Sequence, residues 1–448
     1  MALSEEQQIA FDVYLSGANL FITGPGGAGK SVLIRTIEQH AKANNKRIQI
    51  CATTGVAAAN LNIPGAKTIH SWSGIGLGNG SHQAIIERIA SNKFKCKTWR
   101  SVDILVIDEV SMLSLSHFEL IDNIGRRVKK MDLLPFGGMQ VIFAGDFYQL
   151  PPISETGFCF QSKVWNNCFK PSDQIYLKKI FRQTNETYIN ILNEIRQGNI
   201  SANATKILQE RIDLTIPADV TCTKILPTRA AVDRINSTEL AKLTTQEITY
   251  KAMRASQDSL QLTKPEKLSC KSISDKQKEF EYAELLRNML CDETLKFKAG
   301  AHVMCIVNIT QDDKLQICNG SQGIITHFET GFPVVKFDNG VVRKMSYHNW
   351  KSEKIPDVVA SQVPLMLSWA ITIHKSQGIT LDNAEIDAGN NIFEAGQTYV
   401  ALSRLRSLEG LYLTRFSPSK IKNNKQVQDY YESLERTPKE SLERTPKE

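Results

Sequence analysis

A glycine-rich segment near the start of the chain has the composition and spacing of a phosphate-binding loop. Residues 24–31 (GPGGAGKS) fit the pattern GxxxxGK[ST]. Glycines let backbone N–H groups close around phosphate oxygens, and the N-terminus of a following helix attracts their negative charge. In such loops the lysine binds the β- and γ-phosphates and the hydroxyl ligates Mg²⁺, which predicts these roles for Lys30 and Ser31. The alternative is a chance glycine-rich turn, and the strand and helix expected on either side argue against it.

An acidic pair follows a second apolar run. Asp108 and Glu109 come directly after Ile104–Ile107. Beside a phosphate loop, the aspartate would hold Mg²⁺, directly or through water, and Glu109 would orient and deprotonate an attacking water. Taken alone, such a pair is more often only the solvated end of a strand.

A glutamine lies in Gly145–Pro152, after a further buried strand. An amide can hydrogen-bond both a γ-phosphate and a water, so Gln149 is a candidate sensor of nucleotide state. A proline-terminated loop without such a role is the simpler interpretation of this segment alone.

The polar motifs share a position, because each follows an apolar, β-rich run and precedes a helical stretch. These runs are Asn19–Thr23, Arg47–Ala52, Asp103–Ile107 and Gln140–Ala144. Continuous apolar strands with helices between them predict an α/β fold with a parallel sheet covered on both faces. Ligands of such sheets bind at the carboxyl ends of the strands, where all of these motifs fall.

The remainder of the chain predicts a second α/β unit that is interrupted by an insertion. The expected ranges are 1–174 for the first domain, 175–236 with 361–418 for the second, and 237–360 for the insertion. Within the insertion, short apolar runs at about 297–350 are separated by Asn319-Gly320 and Asn339-Gly340. Asn-Gly between such runs is a strong turn signal, which predicts a small antiparallel barrel.

The C-terminus carries an octapeptide, SLERTPKE, twice, at 433–440 and 441–448. Two polar copies are too few for a repeat array, so we expect a disordered tail over 419–448.

Composition bounds the class of protein and its compartment. With 448 residues the chain exceeds one ordinary core, and the formal net charge of +7 permits a polyanionic partner without demanding one. Nine cysteines without a CxxC pair predict reduced thiols in an intracellular protein. The sequence has neither an apolar run long enough to span a membrane nor a targeting signal, so nucleus, mitochondrion and viral replication site all stay open.

These segments, in this order, resemble superfamily-1 helicases that move 5′→3′, and specifically the Pif (petite integration frequency) family. The resemblance runs from Leu3 to about Phe416. Besides the phosphate loop, it rests on LSEEQ (3–7), TTGVAA (53–58), KTIHS (67–71), IDEVSM (107–112), GDFYQLPP (145–152), FRQ (181–183), WAITIHKSQGITLD (369–382) and YVALSRLRSLEGL (399–411). Residues 109–127 (EVSMLSLSHFELIDNIGRR) are similar to the stretch that separates this family from its RecD and Dda relatives.

The resemblance implies two RecA-like P-loop motor domains with a small inserted β-barrel of Src-homology-3 type. It implies an ATP-dependent DNA helicase that hydrolyses Mg-ATP to move 5′→3′ on single-stranded DNA and unwind duplex DNA. Replication, repair, recombination and telomere maintenance are the processes it implies. The expected partners are single-stranded DNA, duplex junctions and replication or repair proteins, without a membrane, and we expect a monomer.

The resemblance also assigns the nucleotide site. Gln7 matches an adenine-reading glutamine, although the neighbouring Gln8 leaves that position open by one. Arg182 and Arg404 match two arginines that reach the γ-phosphate across a cleft; without the resemblance they would more often be surface ion-pair residues. The implied catalytic set is Lys30, Asp108, Glu109, Gln149, Arg182 and Arg404, with Ser31 and Asp108 as metal ligands. The implied nucleotide-binding set is Gln7, Gly24, Gly26, Gly27, Ala28, Gly29, Lys30, Ser31, Gln377 and Gly378.

DNA contacts are implied in one set for each motor domain. The sets are Thr54, Gly55, Lys67, Thr68 and His70, and then Thr372, His374, Lys375 and Ser376. Hydroxyls and backbone amides hold phosphates without recognising sequence. Taken singly, each residue more often has a structural role. A lone histidine such as His70, for example, is more often a structural residue whose ring nitrogens bond local partners. Trp72 and Gly74–Gly80, in an insertion at about 66–98, match the wedge that parts the duplex.

Two other functions fit parts of the pattern. A RecD-like subunit would act only inside a nuclease complex, and a DNA-binding scaffold would have lost its ATPase. The complete set of catalytic residue types argues against the scaffold. A kinase or GTPase fits poorly, because neither needs the WAITIHKSQG stretch at 369–378.

Overall fold

The structure is a computed structural model that describes residues 3–76, 80–152, 157–217, 220, 222–255, 270, 273–289, 291–311, 314–317, 319–352 and 355–436. The chain forms two compact units. The first comprises Met1–Thr221 and Ile373–Glu448, and the second comprises Cys222–Thr372.

Helices and strands alternate along most of the chain. The helices are α1 Glu5–Leu15, α2 Lys30–Ala43, α3 Gly55–Asn60, α4 Ile69–Ser73, α5 His82–Ser91, α6 Lys93–Ser101, α7 Leu115–Lys129, α8 Lys163–Cys168, α9 Glu186–Arg196, α10 Ala202–Gln209, α11 Arg229–Lys242, α12 Asp275–Asn288, α13 Ile373–Ser376, α14 Gln397–Leu402 and α15 Lys425–Arg436. The strands are β1 Leu20–Thr23, β2 Ile48–Ala52, β3 Lys67–Thr68, β4 Ile104–Asp108, β5 Gln140–Gly145, β6 Gln174–Tyr176, β7 Thr223–Leu226, β8 Ile248–Lys251, β9 Met253–Arg254, β10 Thr294–Phe297, β11 His302–Cys305, β12 Ile309–Gln311, β13 Lys314–Ile317, β14 Gln322–Glu329, β15 Phe332–Phe337, β16 Val342–Lys344, β17 His348–Lys351, β18 Val359–Gln362, β19 Leu365–Leu367, β20 Ala370–Thr372, β21 Ala384–Ala388 and β22 Leu411–Phe416. Short 3-10 helices span Val110–Met112, Pro135–Gly138, Cys159–Gln161, Pro171–Asp173 and Pro418–Lys420. Among the helices of the described residues, none combines the length and apolar character needed to cross a bilayer.

The first unit is built on a parallel sheet in the order β3-β2-β4-β5-β1-β6. Strand side chains alternate between the two faces, so Phe143 packs into one buried cluster while Ile142 and Ala144 pack into another. Helices α1 and α2 cover the aliphatic face, and α5 to α8 cover the aromatic face. The predicted α/β fold is confirmed, and four predicted strands lie within one residue of their expected bounds.

The expected domain boundary at 174/175 falls inside a strand. β6 pairs in parallel with β1, with Ile175 opposite Ile22, so it extends the first sheet. Two other pairs of parallel strands belong to the predicted second motor domain. β7 pairs with β20 inside the second unit, and β21 pairs with β22 inside the first unit. The other expected boundaries remain predictions.

The second unit contains the predicted antiparallel strands. Its five-stranded sheet has the order β16-β15-β14-β11-β19 and encloses an apolar core that includes Phe297, Val303 and Val335. Both Asn-Gly turns are present, because Gly320 and Gly340 adopt φ of 94° and 84° and donate hydrogen bonds to Cys305 O and Phe337 O. These are conformations that glycine adopts at no steric cost.

The prediction of a disordered tail over 419–448 is wrong for Lys425–Arg436, which form α15. This helix places Val427 and Tyr431 in the aromatic core of the first unit. Its apolar residues at i and i+4 were outweighed in the sequence by charged neighbours and by the repeated octapeptide. Residues 437–448 lie outside the described part of the chain.

Candidate active site

The phosphate loop occupies the turn between β1 and α2, as its motif predicts. Gly29 precedes α2 with φ 84°, and Gly27 has φ 85°. A β-carbon on Gly27 would lie 2.6 Å from Cβ of Arg182, which is closer than van der Waals contact allows. Both backbone conformation and space therefore require glycine at this position.

Lys30 begins α2 and bends back over the loop. Its Nζ donates hydrogen bonds to Gly24 O at 2.7 Å and Pro25 O at 3.0 Å. Burial lowers the pKa of Lys30, while Asp146, Glu109 and Asp108 act in the opposite direction. A partly desolvated ammonium held by carbonyl oxygens suits an anionic ligand such as a phosphate.

The acidic pair lies at the carboxyl end of β4, which is the centre of the sheet's binding edge. Asp108 is buried and its Oδ1 accepts a hydrogen bond from the Glu109 N–H at 2.9 Å. Glu109 has φ 54° and ψ 44°, a left-handed conformation that is uncommon for non-glycine residues and recurs at functional sites. Burial is the main cause that raises the pKa of Asp108 to about 7, and the negative charge of Glu109 adds to it. Two close carboxylates in a desolvated site are stabilised by a divalent cation.

Gln377 connects the acidic pair to the predicted sensor. Its Nε2 donates to Glu109 Oε2 at 3.2 Å and to Gln149 Oε1 at 3.4 Å. Both glutamines are buried. Gly378 has φ 82°, and a β-carbon there would lie 2.8 Å from Asn60 Nδ2. The structure thus brings three predicted residues from distant segments of the sequence to one place.

Arg182 and Arg404 both lie against the phosphate loop. A β-carbon built on Gly26 would be 3.7 Å from Arg182 Nη1 and 3.6 Å from Arg404 Nη2. Arg182 Nη1 donates to Ser403 O at 2.8 Å, and Arg404 Nη2 donates to Ser403 Oγ at 2.7 Å. Burial and the facing Arg182 guanidinium lower the pKa of Arg404 to about 9. Two guanidinium groups held this close favour an anion between them.

A cavity of about 480 Å³ joins these groups. It is lined by the loop residues Gly26–Val32, by Ala57, Asn60 and Leu61, by Asp108, Glu109 and Gln149, and by Phe181, Arg182, Gly378, Thr380, Arg404 and Arg406. Cationic side chains surround the glycine loop, and the carboxylate pair lies beside it. This donor set fits a polyphosphate with a divalent cation, and Ser31 and Asp108 are the predicted metal ligands that line the cavity.

The structure favours Gln7 over Gln8 at the nucleotide site. Gln7 is buried, caps α1 through Ser4, and its Nε2 donates to Gly29 O at 3.2 Å. Gln8 is exposed and its Nε2 donates to Asp12 Oδ1. Of the two positions, Gln7 is therefore the one that lies beside the phosphate loop, while adenine recognition itself stays a prediction.

Two residues at the site were missed from the sequence. Phe181 is half exposed in the cavity, 3.4 Å from a β-carbon built on Gly29. The Tyr399 hydroxyl accepts a hydrogen bond from Gly26 N at 2.9 Å. Both lie within motifs quoted for the family resemblance, FRQ and YVALSR. Their position in those motifs was the available signal, but an aromatic side chain is more often part of a core.

The first set of predicted DNA residues lies at strand ends and helix starts. Thr54 and Thr68 cap α3 and α4, and their hydroxyls accept from Ala57 N at 3.1 Å and Ser71 N at 3.3 Å. Gly55 begins α3, and Lys67 is exposed. His70 is partly buried with its ring 5.0 Å from that of His117. DNA contact by these residues remains a prediction.

The second set lies where β20 leads into α13. Thr372 and His374 are partly buried and Lys375 is exposed, whereas Ser376 is fully buried. Its hydroxyl donates to Ile373 O at 2.7 Å. The predicted DNA contact of the Ser376 side chain is not supported, because its hydroxyl is used within the helix.

The prediction that Trp72 forms a wedge is wrong. Trp72 is 3% exposed and packs on Trp99 with ring centroids 4.6 Å apart. Lys95 Nζ donates to Ser71 O beside it, so α4 and α6 close together around the indole. Residues 77–79 of the glycine-rich segment lie outside the described residues.

Comparison with known proteins gives consistent matches along the chain. A sequence model of the PIF1-like helicase family matches residues 2–206, and one of the DNA helicase Pif1 2B domain matches residues 281–328. The ATP-dependent DNA helicase PIF1 of Xenopus laevis is 33% identical over 446 residues, covering 97% of this chain and 65% of the relative. The ATP-dependent DNA helicase RRM3 of Saccharomyces cerevisiae is 29% identical over 517 residues, covering 96% and 67%. The chain thus spans just under two thirds of the Xenopus relative.

Solved structures match the same extent of chain. The Pif1 helicase from Candida albicans superposes with a TM-score of 0.81 at 32% identity, covering 97% of this chain and 100% of that one. Bacteroides Pif1 bound to ssDNA gives a TM-score of 0.69 at 29% identity, with 97% of each chain covered. With its phosphate loop, acidic pair and paired arginines in place, this chain belongs to the PIF1-like helicase family.

Proposed function

We propose that this protein is an ATP-dependent DNA helicase that moves 5′→3′ along single-stranded DNA. The observation that carries the proposal is the convergence of Lys30, Glu109 and two arginines on one cavity. These residues come from four distant segments, so their assembly depends on the fold and not on local sequence. All of them belong to one chain, so this residue set needs no contribution from a partner subunit.

The cavity residues divide the work of hydrolysis. Bound Mg-ATP would supply the phosphoryl group that is transferred to water. Lys30 and the loop amides would hold the phosphates, and Ser31 and Asp108 would hold the Mg²⁺. Glu109 would accept the proton of the attacking water. The hydrogen bond from Gln377 helps to orient the Glu109 carboxylate for this step. Arg182 and Arg404 would stabilise charge that develops on the phosphate oxygens.

Support for DNA as the substrate comes from relatives and from the chain's own segments. Structural neighbours include Bacteroides Pif1 with ADP-AlF3 and ssDNA, and Pif1 helicases at forked dsDNA. In this chain, α13 carries predicted DNA residues and is followed directly by Gln377, which bonds Glu109. A shift of α13 on DNA binding would therefore reach the proposed general base through one side chain.

The test is strand displacement on two partial duplexes, one with a 5′ tail and one with a 3′ tail, with ATP and Mg²⁺. We expect unwinding of the 5′-tailed substrate alone. Lys30→Ala should lower DNA-stimulated ATP turnover by about a hundredfold or more while single-strand binding persists, since the charge that holds the phosphates is lost. Unwinding of the 3′-tailed substrate alone would overturn the polarity, and unchanged turnover in Lys30→Ala would overturn the assigned site.

A further inference from the structure

The C-terminal helix α15 packs against the end of the sheet that carries the phosphate loop. Val427 and Tyr431 are buried in the aromatic core, at 1% and 5% exposure. This helix carries none of the sequence motifs and lines no part of the proposed active site. Its contacts nevertheless fall on two segments that flank the nucleotide cavity.

One hydroxyl group makes three polar contacts at this place. The Tyr431 hydroxyl lies 2.6 Å from Thr23 Oγ1, accepts from Phe147 N at 3.1 Å and lies 3.4 Å from Asp146 Oδ1. A phenol has one proton to donate and can accept from two donors. The assignment that uses all three contacts has Thr23 and Phe147 donating to Tyr431, and Tyr431 donating to the Asp146 carboxylate.

The ring of Tyr431 is held as firmly as its hydroxyl. It stacks on Tyr148 with centroids 4.7 Å apart and planes 10° from parallel. The Arg196 guanidinium lies 4.5 Å from the centroid of Tyr148 and 5.4 Å from that of Tyr431. Arg196 also pairs with the fully buried Asp146, with Nε and Nη2 at 2.9 and 2.8 Å from its two oxygens. The aromatic pair and the ion pair therefore support each other in a desolvated site.

Both segments that Tyr431 contacts lead directly into the proposed active site. Thr23 is the last residue of β1 and precedes Gly24, the first residue of the phosphate loop. Phe147 and Tyr148 precede Gln149, the predicted sensor that bonds Gln377. A hydroxyl that joins these two segments sets their spacing without touching the cavity.

We propose that Tyr431 is a positioning residue for ATP hydrolysis. Its hydroxyl fixes the position of the segment 146–149, which carries Gln149, relative to the phosphate loop. This rests on the proposed ATPase function. Loss of the hydroxyl leaves the cavity-lining side chains intact. Binding of nucleotide by the loop itself should therefore persist, while the alignment of Gln149 and its partners should loosen.

The neighbouring tyrosine is a matched control. The Tyr430 hydroxyl donates to Gln174 Oε1 at 2.6 Å, and its ring stacks on Phe160 at 4.3 Å. Tyr430→Phe thus removes one hydrogen bond from the same helix and leaves Thr23, Asp146 and Phe147 untouched.

The experiment compares DNA-stimulated ATP hydrolysis in the full chain and in Tyr431→Phe, Tyr430→Phe, Thr23→Val and the double variant Tyr431→Phe with Thr23→Val. We expect Tyr431→Phe to lower kcat about tenfold with KM for ATP changed less than about twofold, since misalignment acts on the reacting geometry. Thr23→Val should give a smaller loss, and the double variant should match Tyr431→Phe because both changes remove one shared bond. Tyr430→Phe should keep the wild-type kcat.

Equal kcat in Tyr431→Phe and the wild-type chain would overturn the inference while leaving the proposed function standing. Equal kcat losses in Tyr431→Phe and Tyr430→Phe would also overturn it, since they would show general loosening of α15. A wild-type chain that turns over no ATP with DNA would overturn the proposed function, and this inference with it.

Discussion

Glu109, the proposed general base, is held in an uncommon backbone conformation by its neighbours. Its backbone is left-handed at φ 54°, which directs the chain away from β4 immediately after Asp108. Its backbone oxygen accepts from Thr53 Oγ1 at 2.9 Å, and its carboxylate accepts from Gln377. An uncommon backbone conformation persists only where surrounding contacts hold it, and here the contacts come from two other segments.

The first prediction concerns this carboxylate. Glu109→Gln keeps the shape and the acceptor for Gln377 but removes the proposed base. We expect kcat for DNA-stimulated ATP hydrolysis to fall by about a hundredfold or more, with little change in KM, because general base catalysis contributes at that scale. Steady-state kinetics with saturating single-stranded DNA measures both. Glu210→Gln, at an exposed glutamate beyond α10, is the control and should match the wild type. A kcat for Glu109→Gln within about threefold of wild type would remove Glu109 from its proposed role.

Among the elements of the first unit, α7 and the turn at Pro135–Gly138 pack with their backbones in contact. A β-carbon on Gly125 would lie 2.7 Å from Phe136 O. Phe136 N donates to Asp122 Oδ1 at 2.6 Å, which holds the turn against the same face of the helix. The turn leads directly into β5, so this contact fixes where β5 begins, and Phe143 of β5 packs in the aromatic core.

The second prediction separates packing from helix propensity. Alanine favours a helix over glycine by up to about 1 kcal/mol, so propensity alone predicts that Gly125→Ala stabilises the protein. We expect the reverse, a loss of about 1–3 kcal/mol, because the added methyl group meets a backbone carbonyl that cannot move independently. Urea denaturation followed by tryptophan fluorescence measures the change. Asn123→Ala, at an exposed position of the same helix, should be neutral or slightly stabilising. Stabilisation by Gly125→Ala would show that the turn shifts freely.

Across the whole molecule, the net charge of +7 is modest for the proposed role on a polyanionic DNA strand. Binding must then depend on where cations lie and not on how many there are. Lys67 is exposed on β3 at the edge of the first sheet, next to Thr68 at the start of α4. Groups that hold a phosphate backbone meet at that edge, because hydroxyls and helix N-termini accompany the lysine.

The third prediction follows from counterion release. Each phosphate neutralised by a lysine on single-stranded DNA contributes about 0.7 to the slope of log affinity against log salt. Lys67→Ala should reduce the magnitude of that slope by about 0.7 and weaken binding at low salt across sequences alike. Fluorescence anisotropy with a labelled oligonucleotide over a salt series measures it. Lys206→Ala, on the exposed face of α10, should leave the slope unchanged. An equal slope in wild type and Lys67→Ala would exclude Lys67 from the DNA path.

Local signals in the sequence determined the fold class and most of the nucleotide site. Glycine spacing, the acidic pair and Gln149 each follow an apolar strand, and parallel strands bring their carboxyl ends to one edge. Arg182, Arg404 and Gln377 were placed by resemblance alone, because nothing local to them in the sequence indicates a partner in a distant segment of the chain. In the structure they lie beside Gly26 and Glu109, while their roles in ATP hydrolysis stay predictions.

Only the tertiary structure decided what depends on burial and long-range packing. Trp72 belongs to the core because α6 supplies Trp99 as its packing partner. The Ser376 side chain is buried and its hydroxyl bonds Ile373 O within its own helix. Tyr431 contacts the active-site segments although it lies about four hundred residues after Thr23 in the sequence. The physical reason is the range of the interactions. Turn geometry and phosphate-loop chemistry act over a few residues and are visible in sequence, whereas the burial of a side chain depends on which distant elements pack against it.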